Sequence, residues 1–177
     1  TVPDFRNRAK ALQKRGGQLV VIDPRRTETA KIADRHLFIR PATDGLLLVA
    51  LLKAVLTHPE RPALPDYIDN LDAVAEAVSG FDSGACAAQC GVALPDIEWL
   101  ADRMVTGPAA LYGRIGAATQ SFGTLNAWLI GLINIASGQL DREGGLLFPT
   151  PLVDTVAMAG PGSVGRRHSR VSGHPLV

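Results

Sequence analysis

Hydrophobic positions along this chain occur in two patterns, short continuous runs and longer stretches with helical spacing. Residues 19–22 (LVVI) form an aliphatic run typical of a strand covered on both faces, and residues 36–39 (HLFI) form a second candidate strand. The alternation of these runs with helical stretches indicates an α/β fold: a three-layer, nucleotide-binding-like domain with a mostly parallel sheet flanked by helices. A third strand is predicted at 109–116, and helices at 4–15, 27–33, 46–56, 68–78, 95–105 and 125–137.

The composition changes near residue 149, where Gly and Pro become frequent and periodicity is lost. A segment of this kind is typical of a surface loop, or of a stretch that other parts of a protein order. The sequence therefore predicts an α/β domain over 1–148 and a Gly/Pro-rich connecting segment or tail over 149–177.

Charge and cysteine content exclude several classes of protein. Lys plus Arg is 18 and Asp plus Glu is 17, so there is no basic field for nucleic acid. No window reaches the roughly 18 apolar residues that span a bilayer, which predicts no membrane span. Cys86 and Cys90 have a C-x3-C spacing that matches neither zinc ribbons nor redox pairs, and they are predicted to be small buried residues on one helix face. Cytoplasm is the expected compartment, with the periplasm as the alternative.

The first candidate binding segment follows the predicted strand at 19–22. Asp23 stands where ligands bind in open α/β sheets, outside the carboxyl ends of the strands, and could accept hydrogen bonds from a ribose or a guanine edge. Arg25 and Arg26 follow, and guanidinium groups match phosphate oxygens. The alternative is an Asp-Pro turn in which one arginine pairs with Glu28 or Asp34.

A second candidate segment, Thr43 and Asp44, follows the next predicted strand, although either residue could instead cap the helix that follows. A glycine-bearing loop at 113–123 contains Gly116 and Gln120; its glycines permit close backbone approach, and Gln120 offers a donor and an acceptor. The sequence contains no complete catalytic or metal-binding constellation: the four histidines lie in unrelated contexts.

Dinucleotide-binding units place a glycine-rich loop roughly 20 residues before the acidic residue at the strand end. Counting back from Asp23 reaches the start of the chain, where no glycine occurs. Either the site uses no such loop, or the first strand and its loop precede residue 1 in a longer protein. We expect the second.

Three stretches occur in this order: GGQLVVIDPRRTETAKIADRHLFIRPATD at 16–44, LADRMVTGPAALYGRIGAATQSFGT at 100–124 and LINIASGQLDREGG at 132–145. Together they resemble the molybdopterin oxidoreductase family that includes dimethyl sulfoxide reductase, formate dehydrogenase and periplasmic nitrate reductase. The third stretch has Ala136-Ser137-Gly138-Gln139 where the family usually has Leu-Thr-Gly-Asn. The resemblance implies a fragment of a molybdenum or tungsten oxidoreductase that is inactive alone.

By this resemblance, the chain binds the guanosine-phosphate arm of a molybdopterin guanine dinucleotide. The resemblance implies that Asp44 contacts the guanine edge. It also implies that Gln120 lies near the pterin and metal, or Thr119 if the alignment is shifted by one residue. Ligands for the metal and for an iron-sulfur cluster are implied outside this chain, and the partners are the remaining domains of the same polypeptide and an electron-transfer subunit. The alternative is a free-standing nucleotide-binding or regulatory module without redox activity. The implied cofactor contacts are Ile22, Asp23, Pro24, Arg25, Arg26, Thr43, Asp44, Gly116 and Gln120.

Overall fold

A computed structural model of the chain describes residues 3–66, 68–147, 152–153, 167–168 and 175–176. The chain divides into two compact units, Thr1–Leu147 and Phe148–Val177. In the second, β3 (Arg167–His168) pairs antiparallel with β4 (Pro175–Leu176). The described elements of the first unit, in chain order, are α1 (Phe5–Lys14), β1 (Val20–Ile22), α2 (Glu28–Ile32), β2 (Arg35–Leu37), α3 (Asp44–Leu56), α4 (Leu71–Ser79), α5 (Ser83–Cys90), α6 (Leu94–Thr106), α7 (Ile115–Ala118) and α8 (Gly123–Ala136).

The sheet of the first unit consists, in its described part, of β1 and β2 joined through α2. The two strands run parallel, with Val20 opposite Arg35 and Ile22 opposite Leu37. The unit is therefore mixed α/β and mostly helical, which confirms the predicted α/β class. The predicted three-layer architecture is not confirmed, because the described sheet of this unit has two strands.

The strand predicted at 109–116 is wrong. Residues 109–114 form neither strand nor helix, and Ile115 and Gly116 belong to α7. The side chain of Asn134, in α8, accepts from the Leu111 amide and donates to the Leu111 carbonyl, both at 2.9 Å. A helix side chain thus satisfies the backbone groups that a neighbouring strand would have paired.

The centre of the core is α3, which packs against α5, α6 and α8. Its apolar residues are buried from Leu47 to Leu52 and again at Val55, as the continuous apolar stretch predicted. Lys53 interrupts that stretch without leaving a charge in the core. Its Nζ donates to the carbonyl of Ser79, the last residue of α4, at 2.9 Å and to the carbonyl of Phe81, just beyond that helix, at 2.7 Å.

The helix α5 buries both cysteines, as predicted: Cys86 is 4% exposed and Cys90 is fully buried. Burial, followed by the neighbouring Cys90, raises the pKa of the Cys86 thiol. Arg40 fixes the C-terminal end of α5 by donating to the carbonyls of Ala88 at 2.7 Å and Gln89 at 2.9 Å. This contact also positions the chain between β2 and α3.

None of the helices in the described ranges is long and apolar enough to cross a membrane.

Candidate functional site

The C-terminal end of β1 forms a tight turn. The Asp23 amide donates to the Leu37 carbonyl at 3.2 Å, and the Asp23 carboxylate accepts from the Arg25 amide at 2.7 Å. His36 Nε2 lies 3.0 Å from the Asp23 carbonyl oxygen. The structure therefore shows the Asp-Pro turn that was the alternative interpretation of this segment, and one carboxylate oxygen of Asp23 is used in it.

Arg25 and Arg26 are exposed and form no ion pair with any described residue. The alternative interpretation, in which one of these arginines pairs with Glu28 or Asp34, is wrong, because other groups hold both carboxylates. A hydrogen bond and the charge of Lys31 lower the pKa of Glu28, and the amide of Leu19, followed by the side chain of Gln13, lowers the pKa of Asp34. Both guanidinium groups are thus available to an anion.

The alternative interpretation, that the side chain of Thr43 or Asp44 caps α3, is also wrong. Thr43 occupies the N-cap position, but its hydroxyl donates backward to the Arg40 carbonyl at 2.7 Å and caps no amide. Asp44 is the first helical residue, and its carboxylate accepts from Gln120 Nε2 at 2.6 Å. An acidic side chain at a helix N-terminus is favoured by the helix dipole. Here that side chain contacts the loop before α8.

Gln120 connects the N-terminus of α3 to α7. Besides Asp44, its Nε2 donates to the Gly116 carbonyl at 2.9 Å, in the last turn before the loop. Gln120 and Asp44 are half-buried. Their remaining oxygens, Oε1 of Gln120 and Oδ1 of Asp44, accept no hydrogen bond from the described residues. The pair therefore presents two unused acceptors at a partly shielded position.

The loop between α7 and α8 depends on Gly123, where a Cβ atom would lie 1.8 Å from the carbonyl oxygen of Ala118. This confirms the predicted close backbone approach for Gly123. No such contact exists at Gly116, where nothing lies within 4 Å of a Cβ position. Gly116 contributes to the site through its carbonyl instead.

Buried amide side chains on and after α8 fix the segment that precedes the loop, and sequence reasoning missed them. Asn126 donates to the Ala117 carbonyl at 2.9 Å, and Asn134 pairs with Leu111 as described above. Gln139 donates to the carbonyls of Met104 and Gly107 and accepts from the Ala109 amide. Asn126, Asn134 and Gln139 are fully buried. Amides within the otherwise apolar stretch 125–139 were the available signal.

The structure brings Asp44, Gln120 and Gly116 together. Ile22, Asp23, Pro24, Arg25 and Arg26 lie at and beyond the end of β1, and Thr43 lies beside Asp44. No hydrogen bond or ion pair between described residues joins the β1 group to the Asp44–Gln120 pair. Within the described ranges, no three His, Cys, Asp or Glu residues lie close enough together to hold a metal ion.

No protein-family model matches the chain. Among curated proteins, it is 34% identical over 131 residues to an assimilatory nitrate reductase of Haloferax mediterranei, covering 70% of this chain and 17% of that protein. It is 32% identical over 129 residues to a nitrate reductase of Klebsiella oxytoca, covering 72% and 14%. A probable oxidoreductase of Bacillus subtilis is 26% identical over 137 residues, covering 76% and 20%.

The chain therefore spans a fifth or less of the length of these relatives, which are enzymes by name. Among solved structures, acetylene hydratase from Pelobacter acetylenicus matches with a TM-score of 0.69 and 23% identity. The match covers 76% of this chain and 19% of the hydratase, and it supports the fold described above. Together with the three ordered motifs, these similarities show that the chain corresponds to one part of a molybdopterin oxidoreductase-type protein.

Proposed function

We propose that this chain binds the guanosine-phosphate arm of a molybdopterin guanine dinucleotide within a molybdenum or tungsten oxidoreductase. The observation that carries the proposal is the Asp44–Gln120 pair. Gln120 holds one oxygen of the Asp44 carboxylate at 2.6 Å, and the other accepts nothing from the described residues. Guanine presents adjacent N–H donors along one edge, and a fixed, half-buried carboxylate is a suitable acceptor for them.

The arginines after β1 suit the phosphate part of the same arm. Arg25 and Arg26 are exposed, and described carboxylates do not neutralise them. A guanidinium group binds phosphate oxygens in a bidentate manner. In this proposal Ile22, Asp23 and Pro24 form the turn that presents the arginines, and Thr43 lies beside the guanine-binding carboxylate.

When bound, the metal–pterin group would supply the two-electron chemistry of the parent enzyme. The residues of this chain hold and orient the arm. The metal ligand and the iron-sulfur ligands would come from other parts of the polypeptide, and an electron-transfer subunit would exchange electrons with it. Gln120 retains a free Oε1, which could accept a hydrogen bond from the same guanosine end of the arm as Asp44. Because Gln120 lies 2.6 Å from Asp44, the implied position of Gln120 near the pterin does not fit together with Asp44 at the guanine edge.

The partner implied for this chain is the remainder of a larger polypeptide. An exposed apolar surface supports this part of the proposal, because large exposed apolar surfaces mark contact sites. Arg114 is the one charged residue from Gly107 to Leu140. The large apolar side chains exposed in this stretch are Tyr112, Ile115, Phe122, Leu125 and Trp128.

The test is the cofactor content of the intact gene product that contains residues 1–177. Pterin would be extracted and measured by fluorescence, and guanine nucleotide would be released by acid and quantified. We expect both in the wild type, and a loss of most of both in Asp44→Ala. Glu98→Ala, which removes an exposed carboxylate on α6, is the matched control and should retain both. Absence of pterin from the wild type, or full retention in Asp44→Ala, would contradict the proposal.

A further inference from the structure

Asn126 contacts both sides of the Asp44–Gln120 pair from within the core. Its Nδ2 donates at 2.9 Å to the carbonyl of Ala117, three residues before Gln120. Its Oδ1 lies 3.2 Å from the position that a Cβ would take on Gly45, directly after Asp44. One side chain thus lies against the segment that carries Gln120 and against the first turn of α3.

The environment of Asn126 is unusual for a side chain that only fills space. The residue is fully buried, and its Oδ1 is one of two buried side-chain polar atoms, among those described, without a hydrogen-bond partner. An unpartnered buried acceptor costs free energy that an isosteric leucine would not. The unpaired Oδ1 therefore works against stability, and the Nδ2 bond to Ala117 opposes this cost.

We infer that Asn126 is a positioning residue, which sets the distance between α3 and the 113–120 segment so that Gln120 reaches Asp44. Gly45 contributes to the same arrangement, because a side chain at this position would lie in close contact with the Asn126 carboxamide. The inference rests on the proposed function only for its consequence, the orientation of the Asp44 carboxylate toward a ligand. The positioning itself can be measured without a ligand.

The first measurement is the rate at which the side-chain amide protons of Gln120 exchange with water, followed by NMR in the 177-residue chain without ligand. Asn126→Leu removes the bond to Ala117, and Asn126→Asp removes the donor while preserving the shape. We expect exchange to become faster by about tenfold in both, the size expected for one lost hydrogen bond. Ile133→Ala, which creates a cavity two turns further along α8, controls for general destabilisation and should leave the rate within about twofold.

The second measurement is the guanine nucleotide retained by the intact gene product. If Asn126 acts through Gln120, Asn126→Leu should reduce retention in the wild-type background but not further in Gln120→Ala, because coupled residues are not additive. Equal additional losses in both backgrounds would overturn the inference, as would unchanged Gln120 exchange in both Asn126 variants. A wild type without nucleotide would refute the proposed function, and the exchange experiment would still decide the role of Asn126.

Discussion

Gln120 Nε2 donates to the carboxylate of Asp44 at 2.6 Å, although the two residues are 76 positions apart in the chain. This bond joins the N-terminus of the central helix α3 to the loop before α8. It orients the carboxylate that we propose to bind the guanine edge. The bond depends on a neutral donor, the Gln120 amide, that faces an anionic acceptor, the Asp44 carboxylate.

Replacing that donor with a second carboxylate should destabilise the fold. Gln120→Glu would place two half-buried carboxylates in contact, and we expect it to lower the free energy of unfolding by roughly 1–2 kcal/mol. Urea denaturation would measure the change. Gln18→Glu, at an exposed position, is the control and should be nearly neutral. The double variant Asp44→Asn/Gln120→Glu exchanges donor and acceptor and should recover most of the loss; failure to recover would show that the bond is not the cause.

The two glycines within α8 should respond in opposite directions to alanine. Gly123→Ala would place its Cβ 1.8 Å from a backbone oxygen that cannot move aside without shifting α7, and we expect a loss of roughly 2 kcal/mol or more. Gly131→Ala meets nothing within 4 Å in mid-helix, and it should stabilise the protein by about 0.5–1 kcal/mol. Thermal unfolding of both variants checks this, and a neutral Gly123→Ala would contradict the described close approach.

Gln139 should be the most sensitive of the buried amides. Gln139→Leu leaves the carbonyls of Met104 and Gly107 and the amide of Ala109 without their partner. We expect a loss of roughly 2–4 kcal/mol, since each buried polar group left unpaired is costly. Gln89→Leu, at an exposed position, is the matched control. Similar unfolding midpoints for the two variants in urea would rule out this role for Gln139.

The stability of the fold should decline at alkaline pH because of Cys86. Burial raises the pKa of its thiol, so the folded state retains the proton at pH values where the unfolded chain has released it. The stabilisation is complete below the ordinary thiol pKa and is lost as pH rises through the higher pKa of the folded state. Urea midpoints against pH should show this decline in the wild type and a smaller one in Cys86→Ala. An identical decline in both would show that other groups cause it.

The spacing of apolar residues along the sequence correctly predicted several helices and strands. The aliphatic run before Asp23 forms β1, the continuous apolar stretch forms the buried helix α3, and the spacing of Cys86 and Cys90 places both on one buried helix. The strand predicted at 109–116 does not form. The bonding partner of that segment, however, is Asn134, more than twenty residues away. No local pattern reports such a tertiary bond.

In the candidate site, too, the sequence identified individual residues but not the contacts between them. Asp44 and Gln120 were identified from motifs, but their mutual hydrogen bond and the tether of the loop by Asn126 are contacts across the fold. The interpretation of Thr43 as a cap failed for a related reason. Its hydroxyl has a competing acceptor in the carbonyl of Arg40, and a sequence pattern does not rank two such partners.

The most direct test of the central claim is an experimental structure of the intact gene product with its cofactor bound. We expect a carboxylate oxygen of Asp44 to lie within about 2.7–3.2 Å of a guanine nitrogen, with Gln120 still bonded to the carboxylate and with Arg25 or Arg26 at a phosphate. A structure in which Asp44 and both arginines pair with protein groups, away from any bound nucleotide, would contradict it.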